Sequence, residues 1–478
     1  MELKGRVVKG FTWVAAEKTV SALLQLGVSL VLLNLLLPED YATIAIVVSI
    51  IAILNTFVDS GFSQTLIRKT DAGSEDLNAV FYFNIAVAVV IYIVFALLSG
   101  PLARLYSDPR ISTLGPVLFL LVPLYASGII QQTVLSKRID FKKLSKITFV
   151  SYLLADILAV VLALCGGGIW ALVAQRMGIV GFKSVILWIT GDWRPSSNFS
   201  FRPIREMLGY SSRIFATDFI NNTYNNVASL FMGKIYPRDL GYYDRALKLK
   251  NMPVDATVIA VQSVTFPALA EIRGDDGKFK ESSHKIVSIL AFCIFPMMLG
   301  LIATAQDIFA LLLPPRWWPS IPFFKVLCIA GMMSPLAIFF NNTMKIRSDG
   351  GIILRLEIVK KCIITAILAC TIPLGAIAIA WGQVAIAAVD MTLNLVASRR
   401  YSNYMCSDFM RDVLPPLAIS AVMYLAVYLI GRISMPVWLR LIAEISGGAA
   451  VYVVLAVAFG FEAWGEAVQV LKNIIRKK

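Results

Sequence analysis

The sequence predicts an all-α integral membrane protein with fourteen transmembrane helices, arranged as two six-helix lobes around a central cavity plus two C-terminal helices. Three observations lead there. Of the 478 residues, 58% are hydrophobic and only 15% are charged, against about 25% charged in ordinary soluble domains. Apolar runs of about 20 residues, the length that crosses a bilayer, recur from end to end. Lys and Arg gather in every second connection between those runs.

The spans fall at roughly 11–37, 41–58, 77–99, 112–133, 147–166, 168–190, 208–234, 241–268, 284–305, 320–341, 352–373, 376–397, 412–431 and 436–460. The first opens as a basic and then apolar segment, like a signal peptide. Glu17 and Lys18 interrupt it and the run continues to Leu37, so it is expected to remain as a helix. With the N-terminus placed inside, the cation-rich connections are cytoplasmic; one holds Lys137, Arg138, Lys142, Lys143 and Lys146. This positive-inside bias predicts both termini in the cytoplasm. It also accounts for the net charge of +14 without a nucleic-acid partner. The six cysteines form no C-x-x-C pair and are expected as free thiols. His284 is the only histidine, so neither a His-ligated metal site nor a Ser-His-Asp triad is expected. The "RWWP" at Arg316 to Pro319 is expected as an aromatic anchor at the outer interface.

Short motifs recur in order along the chain. "LPEDYATIA" follows the first span and "YPRDLGYYDRA" follows the seventh, both with Pro-x-Asp and then Tyr. "SQTLIRK" is echoed by "FPALAEIRG", and "QQTVLSKR" by "NNTMKIRS". The repetition predicts lobes at 1–200 and 201–400, with the last helix pair and a basic tail over 401–478. An even helix number gives both repeats the same orientation, about an axis along the membrane normal, and substrate sites often lie between such repeats.

Charged groups in lipid are costly, so polar side chains inside spans should face protein or water. Asp244, Lys248, Asn251, Asp255 and Gln262 lie at helical spacing along one stripe. Asp218, Asn222, Asn225 and Ser229 form another, flanked by Arg213. Lys18 with Gln25, Asn55 with Asp59, Arg176 with Lys183, and Gln383 with Asp390 and Asn394 give shorter ones, and Lys360 and Lys361 lie within the eleventh span. The pattern suits a hydrated cavity with many cations, the chemistry that binds phosphate or another anion. Asn and Tyr would suit sugar hydroxyls. Plainer readings stand beside these. Arg245, Lys248 and Lys250 can snorkel or pair locally, and Asp244 with Lys248 is an i,i+4 pair. Asp59 and Arg68 read as structural. Asp156, Asp218, Asp255 and Asp390 could bind a coupling cation or proton, or simply accept interhelical hydrogen bonds.

The stretches "DSGFSQTLIRK" (Asp59–Lys69), "QQTVLSKRIDFKKLSKI" (Gln131–Ile147), "NNVASLFMGKIYPRDLGYYDRALKLKNMP" (Asn225–Pro253) and "LRLEIVKK" (Leu354–Lys361) resemble the polysaccharide transporter family. These are Wzx-type flippases for lipid-linked oligosaccharides, and the likeness is greatest to the branch of colanic-acid-like exopolysaccharides. The resemblance covers nearly the whole chain. It places the protein with lipid II flippases and multidrug and toxin extrusion carriers. It implies an undecaprenyl-diphosphate-linked sugar unit as substrate, moved across a bacterial inner membrane by alternating access. It implies contact with membrane lipids and with polysaccharide polymerase and chain-length proteins, and no resident cofactor; a Na⁺ or H⁺ gradient is the candidate driving force. The family has no universal catalytic signature, so only the idea of a cationic cavity carries over. Its candidate lining here is Lys18, Arg213, Arg245, Lys248 and Lys360, with Asn222, Asn225, Asn251 and Asn394 as the polar remainder.

Two other classes of function remain open. A cation-coupled multidrug exporter should have an acidic or aromatic cavity, against which the Lys and Arg load counts. A non-transporting membrane enzyme of polysaccharide assembly usually needs a large outer loop, whereas every outer loop here is short. A silent scaffold would not need polar stripes inside its helices.

Overall fold

The computed structural model describes residues 20–461 apart from 22–23, 70, 197–199 and 349–350, without the side chains of 259–268, 351 and 354. Every regular element among the described residues is helical. The helices are α1 (Leu24–Leu35), α2 (Pro38–Asp59), α3 (Phe62–Arg68), α4 (Ser74–Tyr106), α5 (Arg110–Phe119), α6 (Leu121–Lys137), α7 (Phe141–Leu164) and α8 (Trp170–Thr190). They continue with α9 (Arg202–Ile235), α10 (Pro237–Glu271), α11 (Asp276–Leu312), α12 (Ser320–Arg347), α13 (Gly351–Thr371), α14 (Ala376–Ser402), α15 (Cys406–Ile430) and α16 (Val437–Ala458).

Among the described residues ten helical stretches are long and apolar enough to cross a membrane, with α5 and α6 counting together as one. This makes the chain a multi-pass membrane protein. Polarity sets α9, α10 and α13 apart. Asp218 and four asparagines interrupt α9, charges crowd the first half of α10, and Arg355, Glu357, Lys360 and Lys361 fall within the 21 residues of α13. The expected first span lies largely outside the described residues, which retain its α1 portion.

Local chemistry explains the boundaries. Pro38 and Pro237 each open a helix, where a missing N–H costs nothing. The fourth expected span is broken at Leu120 into α5 and α6. Pro123 cannot donate to the Phe119 carbonyl four residues back, so the helical ladder is interrupted there. A short helix that the sequence reading did not separate, α3, follows α2 across an elbow. There Ser60 and Gly61 both adopt left-handed φ. The "RWWP" expectation needs correcting: Trp318 is exposed, but Trp317 is wholly buried and belongs to the core.

The chain forms two compact units, Met1–Asp244 and Arg245–Lys478. In the first, α2 packs on α9, α7 on α8, and α6 against α4 and α8. Leu33, Val47, Phe62, Leu66, Val80, Phe119 and Ile130 fill its core. The Pro-x-Asp turns of the two sequence repeats meet inside this unit. A Cβ on Gly241 would lie 2.1 Å from the Pro38 carbonyl oxygen, so the α10 backbone rests directly on the start of α2. In the second unit α12 packs on α14, and α11 on α12, α15 and α16. Phe292, Ile419, Met423, Val427, Tyr452 and Ala456 form one cluster there, and the Tyr452 hydroxyl donates to the Phe292 carbonyl at 2.7 Å.

The turn between α4 and α5 is tied to the start of α2 by charge. Arg110 donates to Asp108 at 2.9 Å and to Asp40 at 3.1 Å, and the Thr43 hydroxyl donates to Asp108. Partial burial pushes the Asp108 carboxyl up, but its hydrogen bonds to Arg110 and Thr43 outweigh this and hold it below the usual carboxylate range. A lowered folded-state value means stability that is present above the ordinary carboxylate range and lost as pH falls through the folded value. Acidification should therefore loosen this turn in the wild type, read as lower amide protection factors at Ser107, Asp108 and Arg110. Asp108→Asn should flatten that acid response, and an unchanged response would remove Asp108 as its source.

Candidate functional site

Within the first unit, α2, α3 and α9 share a ladder of polar contacts. Asn222 donates to Thr56 at 3.0 Å, Gln64 to Asp218 at 3.4 Å, and the Thr65 and Ser211 hydroxyls pair at 2.7 Å. The Arg68 guanidinium covers the Tyr210 ring at 4.4 Å. Residue numbers rise along α2 and α3 as they fall along α9, so the ladder is antiparallel. Phe57 closes it with edge contacts to Phe215 and Phe219. Asp59 is taken up by its own elbow, accepting from the Ser63 amide at 3.2 Å and from the Ser63 hydroxyl.

This ladder divides the α9 residues singled out from sequence. Asn222 and Asp218 are engaged with α2 and α3. Arg213 and Asn225 are exposed, and their side chains make no hydrogen bond or ion pair among the described residues. An arginine without a carboxylate keeps its full charge and all five donors for an external anion. Asp156 on α7 is buried and accepts from Gln175 of α8 at 2.7 Å. Its second oxygen has no hydrogen-bond partner.

The α10 stripe lies on one unbroken helix, as its spacing predicts, but burial varies along it. Asp244 and Arg245 are buried, Lys248 and Asn251 half-buried, and Asp255 exposed. Lys250, which is off the stripe, is buried with its side chain packed toward Gly331 of α12. The Gln262 side chain and Lys18 lie outside what is described.

In the second unit a compact ionic group joins α13 to α14. Lys360 is only 3% exposed. Its ammonium contacts Asp390 at 2.7 Å and Glu357 at 3.0 Å. Lys361 reaches the other Glu357 oxygen at 3.8 Å. Asn394, one turn beyond Asp390, donates to Asp390 at 3.3 Å and to the Ala337 carbonyl of α12 at 3.1 Å. Lys360, Asp390 and Asn394 are thus brought together, and Lys360 is already matched by two carboxylates. Glu357 was missed in the sequence. The signal for it was local: Glu357 with Lys360 and Lys361 at i+3 and i+4 marks a helix-face ion group.

A family model described as polysaccharide biosynthesis protein matches residues 31–322. The chain belongs to that family. Among curated relatives, the succinoglycan biosynthesis transport protein ExoT of Rhizobium meliloti is 24% identical over 335 residues, 70% of this chain and 68% of ExoT. The lipopolysaccharide biosynthesis protein WzxC of Escherichia coli is 22% identical over 342 residues, again 70% of this chain and 68% of the relative. Among solved structures, the lipid II flippase MurJ in an inward closed conformation matches with a TM-score of 0.75, at 14% identity, over 93% of this chain and 98% of MurJ. That likeness establishes the fold of this polysaccharide biosynthesis family member as one shared with MurJ.

Proposed function

We propose that the protein is a flippase that carries an undecaprenyl-diphosphate-linked oligosaccharide from the cytoplasmic to the outer leaflet of a bacterial inner membrane. The carrying observation is the polar load of α9, α10 and α13 inside a multi-pass member of the polysaccharide biosynthesis family. Adding these three helices and the α1 segment to the ten apolar stretches gives the fourteen crossings read from the sequence. With that number and the Lys/Arg bias, both termini lie in the cytoplasm. Lipid-exposed polar helices are costly, whereas helices that line a hydrated path are not. The names of ExoT and WzxC and the MurJ-like fold support the same reading.

In this mechanism the diphosphate binds cavity cations, the sugars meet Asn and Tyr side chains, and the polyprenyl tail stays in lipid. Alternating exposure of the headgroup then spares it a crossing of about 30 Å of hydrocarbon. Arg213 leads the candidate phosphate ligands, because no carboxylate among the described residues competes for it; Lys248 follows it on α10. The carboxyl groups of Asp218, Asp255 and Asp390 and the buried Asp156 are candidates for ion coupling.

The test is protein-dependent translocation of a radiolabelled oligosaccharide-diphosphate-lipid in reconstituted vesicles. Wild-type protein should accelerate it. Arg213→Ala should weaken apparent affinity about tenfold, the effect of losing roughly 1.5 kcal/mol from one charged hydrogen bond. Absence of translocation with any cognate lipid under either a Na⁺ or an H⁺ gradient would defeat the flippase reading.

A further inference from the structure

We propose that the cleft between α6 and α8 binds an anionic phospholipid, with one acyl chain in the cleft and the lipid phosphate on Arg194. The cleft lies wholly within the first unit and has a volume of about 540 Å³. Leu124 of α6 and Gly181, Val185, Trp188 and Ile189 of α8 line it, and Arg194 stands at its end. From Gly181 to Ile189 its wall runs about 12 Å at 1.5 Å per helical residue. That is most of the roughly 15 Å depth of one hydrocarbon leaflet.

The polar groups of the wall are spent on one another. The Ser127 and Ser184 hydroxyls pair at 2.6 Å, and Ser127 also donates to the Leu124 carbonyl at 2.7 Å. The Trp188 indole N–H donates to the Ser127 carbonyl at 2.9 Å. An enclosed water needs two to four polar partners, whereas this wall offers apolar surface, which suits a hydrocarbon chain. Gly181 leaves room for it: a Cβ there would meet nothing within 4 Å.

Charge selects the headgroup. Arg194 is fixed at the cleft end by neutral partners. Its Nη1 donates to the Gly191 and Trp193 carbonyls at 2.8 Å each, and its Nη2 to the Trp188 carbonyl. The guanidinium also lies 5.7 Å from the Trp188 ring. Three of its five N–H groups are used, which leaves Nε–H and one Nη2–H for phosphate oxygens. The acid beside it in sequence, Asp192, is paired with Arg138. Lys143 donates to the Thr190 carbonyl at 2.5 Å and brings another cation to this end of α8. A headgroup of net negative charge gains from both cations, while the amine of a zwitterionic headgroup is repelled. The site requires no assumption about the cargo.

Native mass spectrometry of the purified full chain, titrated with dioleoyl phosphatidylglycerol or dioleoyl phosphatidylcholine, tests it. Wild-type protein should retain the first phosphatidylglycerol about tenfold more tightly than phosphatidylcholine, the worth of one charged hydrogen bond. Arg194→Gln should remove that preference. Gly181→Leu fills the cleft from a position with free space. It should lose tight binding of the first lipid of either kind, while its melting temperature without added lipid stays at or above the wild-type value. Arg194 also caps α8, so if Arg194→Gln fails to fold, Gly181→Leu decides. Equal first-lipid affinity in wild type and Gly181→Leu would overturn the proposal. So would equal retention of the two lipids by the wild type. Displacement of phosphatidylglycerol by an equal amount of undecaprenyl phosphate would overturn it too, by giving the cleft to a polyprenyl tail.

Discussion

Lys360→Ala is expected to destabilise the protein by about 3 kcal/mol, the low end of what removing one partner from a buried ion pair costs. The cation sits between Asp390 and Glu357 with almost no exposure. Its removal leaves the Glu357 and Asp390 carboxylates without their shared cation, with Asn394 still donating to Asp390. The carboxylates are partly exposed, which keeps the effect toward the lower figure. A variant carrying Lys360→Met, Glu357→Gln and Asp390→Asn together should regain most of the loss, because a neutral group of similar volume removes the uncompensated charges. Denaturant unfolding in detergent, compared across the three proteins, measures this. The result also sorts two roles. A lysine that chiefly binds phosphate would lose transport and keep its stability when cut to alanine. A lysine that chiefly joins helices would lose stability first, and the ion group described here places Lys360 in that second class.

Gly241→Ala should be destabilising by about 2 kcal/mol, although Gly241 lies within a helix. In an open helical position the same change gains about 1 kcal/mol from helix propensity. Here the added Cβ would meet the Pro38 carbonyl at 2.1 Å, backbone against backbone, with no flexible side chain to move aside. Overpacking of this kind costs about 1–3 kcal/mol, and the shortness of the contact argues for the upper end. Gly209 on α9 provides the control, since a Cβ there would meet nothing within 4 Å. Gly209→Ala should leave the melting temperature unchanged or raise it. If both substitutions shift it in the same direction, the close approach at Gly241 is not what governs the effect.

The fold was legible because its signals are one-dimensional. Apolar runs and Pro-x-Asp starts specify helices and their order without any tertiary information, and ten helical stretches among the described residues are long and apolar enough to cross a membrane, as such runs predict. What the sequence missed depends on contacts between distant positions. The α3 elbow needs two left-handed residues, and its sequence, Asp-Ser-Gly-Phe, continues a helical pattern on paper. Trp317 looked interfacial because "RWWP" falls in an outer connection between spans, yet it is buried in the core. Among site candidates, helical spacing picked out Lys360, Asp390 and Asn394, but only folding joins Lys360 of α13 to Asp390 of α14; Glu357, missed in the sequence, sits one turn before Lys360 on α13 itself. Spacing also grouped Arg213 with Asp218 and Asn222. The structure separates them, because α2 and α3 engage one face of α9 and leave Arg213 outside that contact.

The two Pro-x-Asp turns touch unequally. Two turns of similar sequence that rest on each other resemble the paired surfaces of a two-fold contact. A symmetric interface asks the same residue of both subunits. Here Gly241 lies against Pro38, while the corresponding place in the first copy, four residues after Pro38, is held by Ala42. The contact is therefore asymmetric, and the alanine of the first turn placed in the second would bring its Cβ against the Pro38 carbonyl.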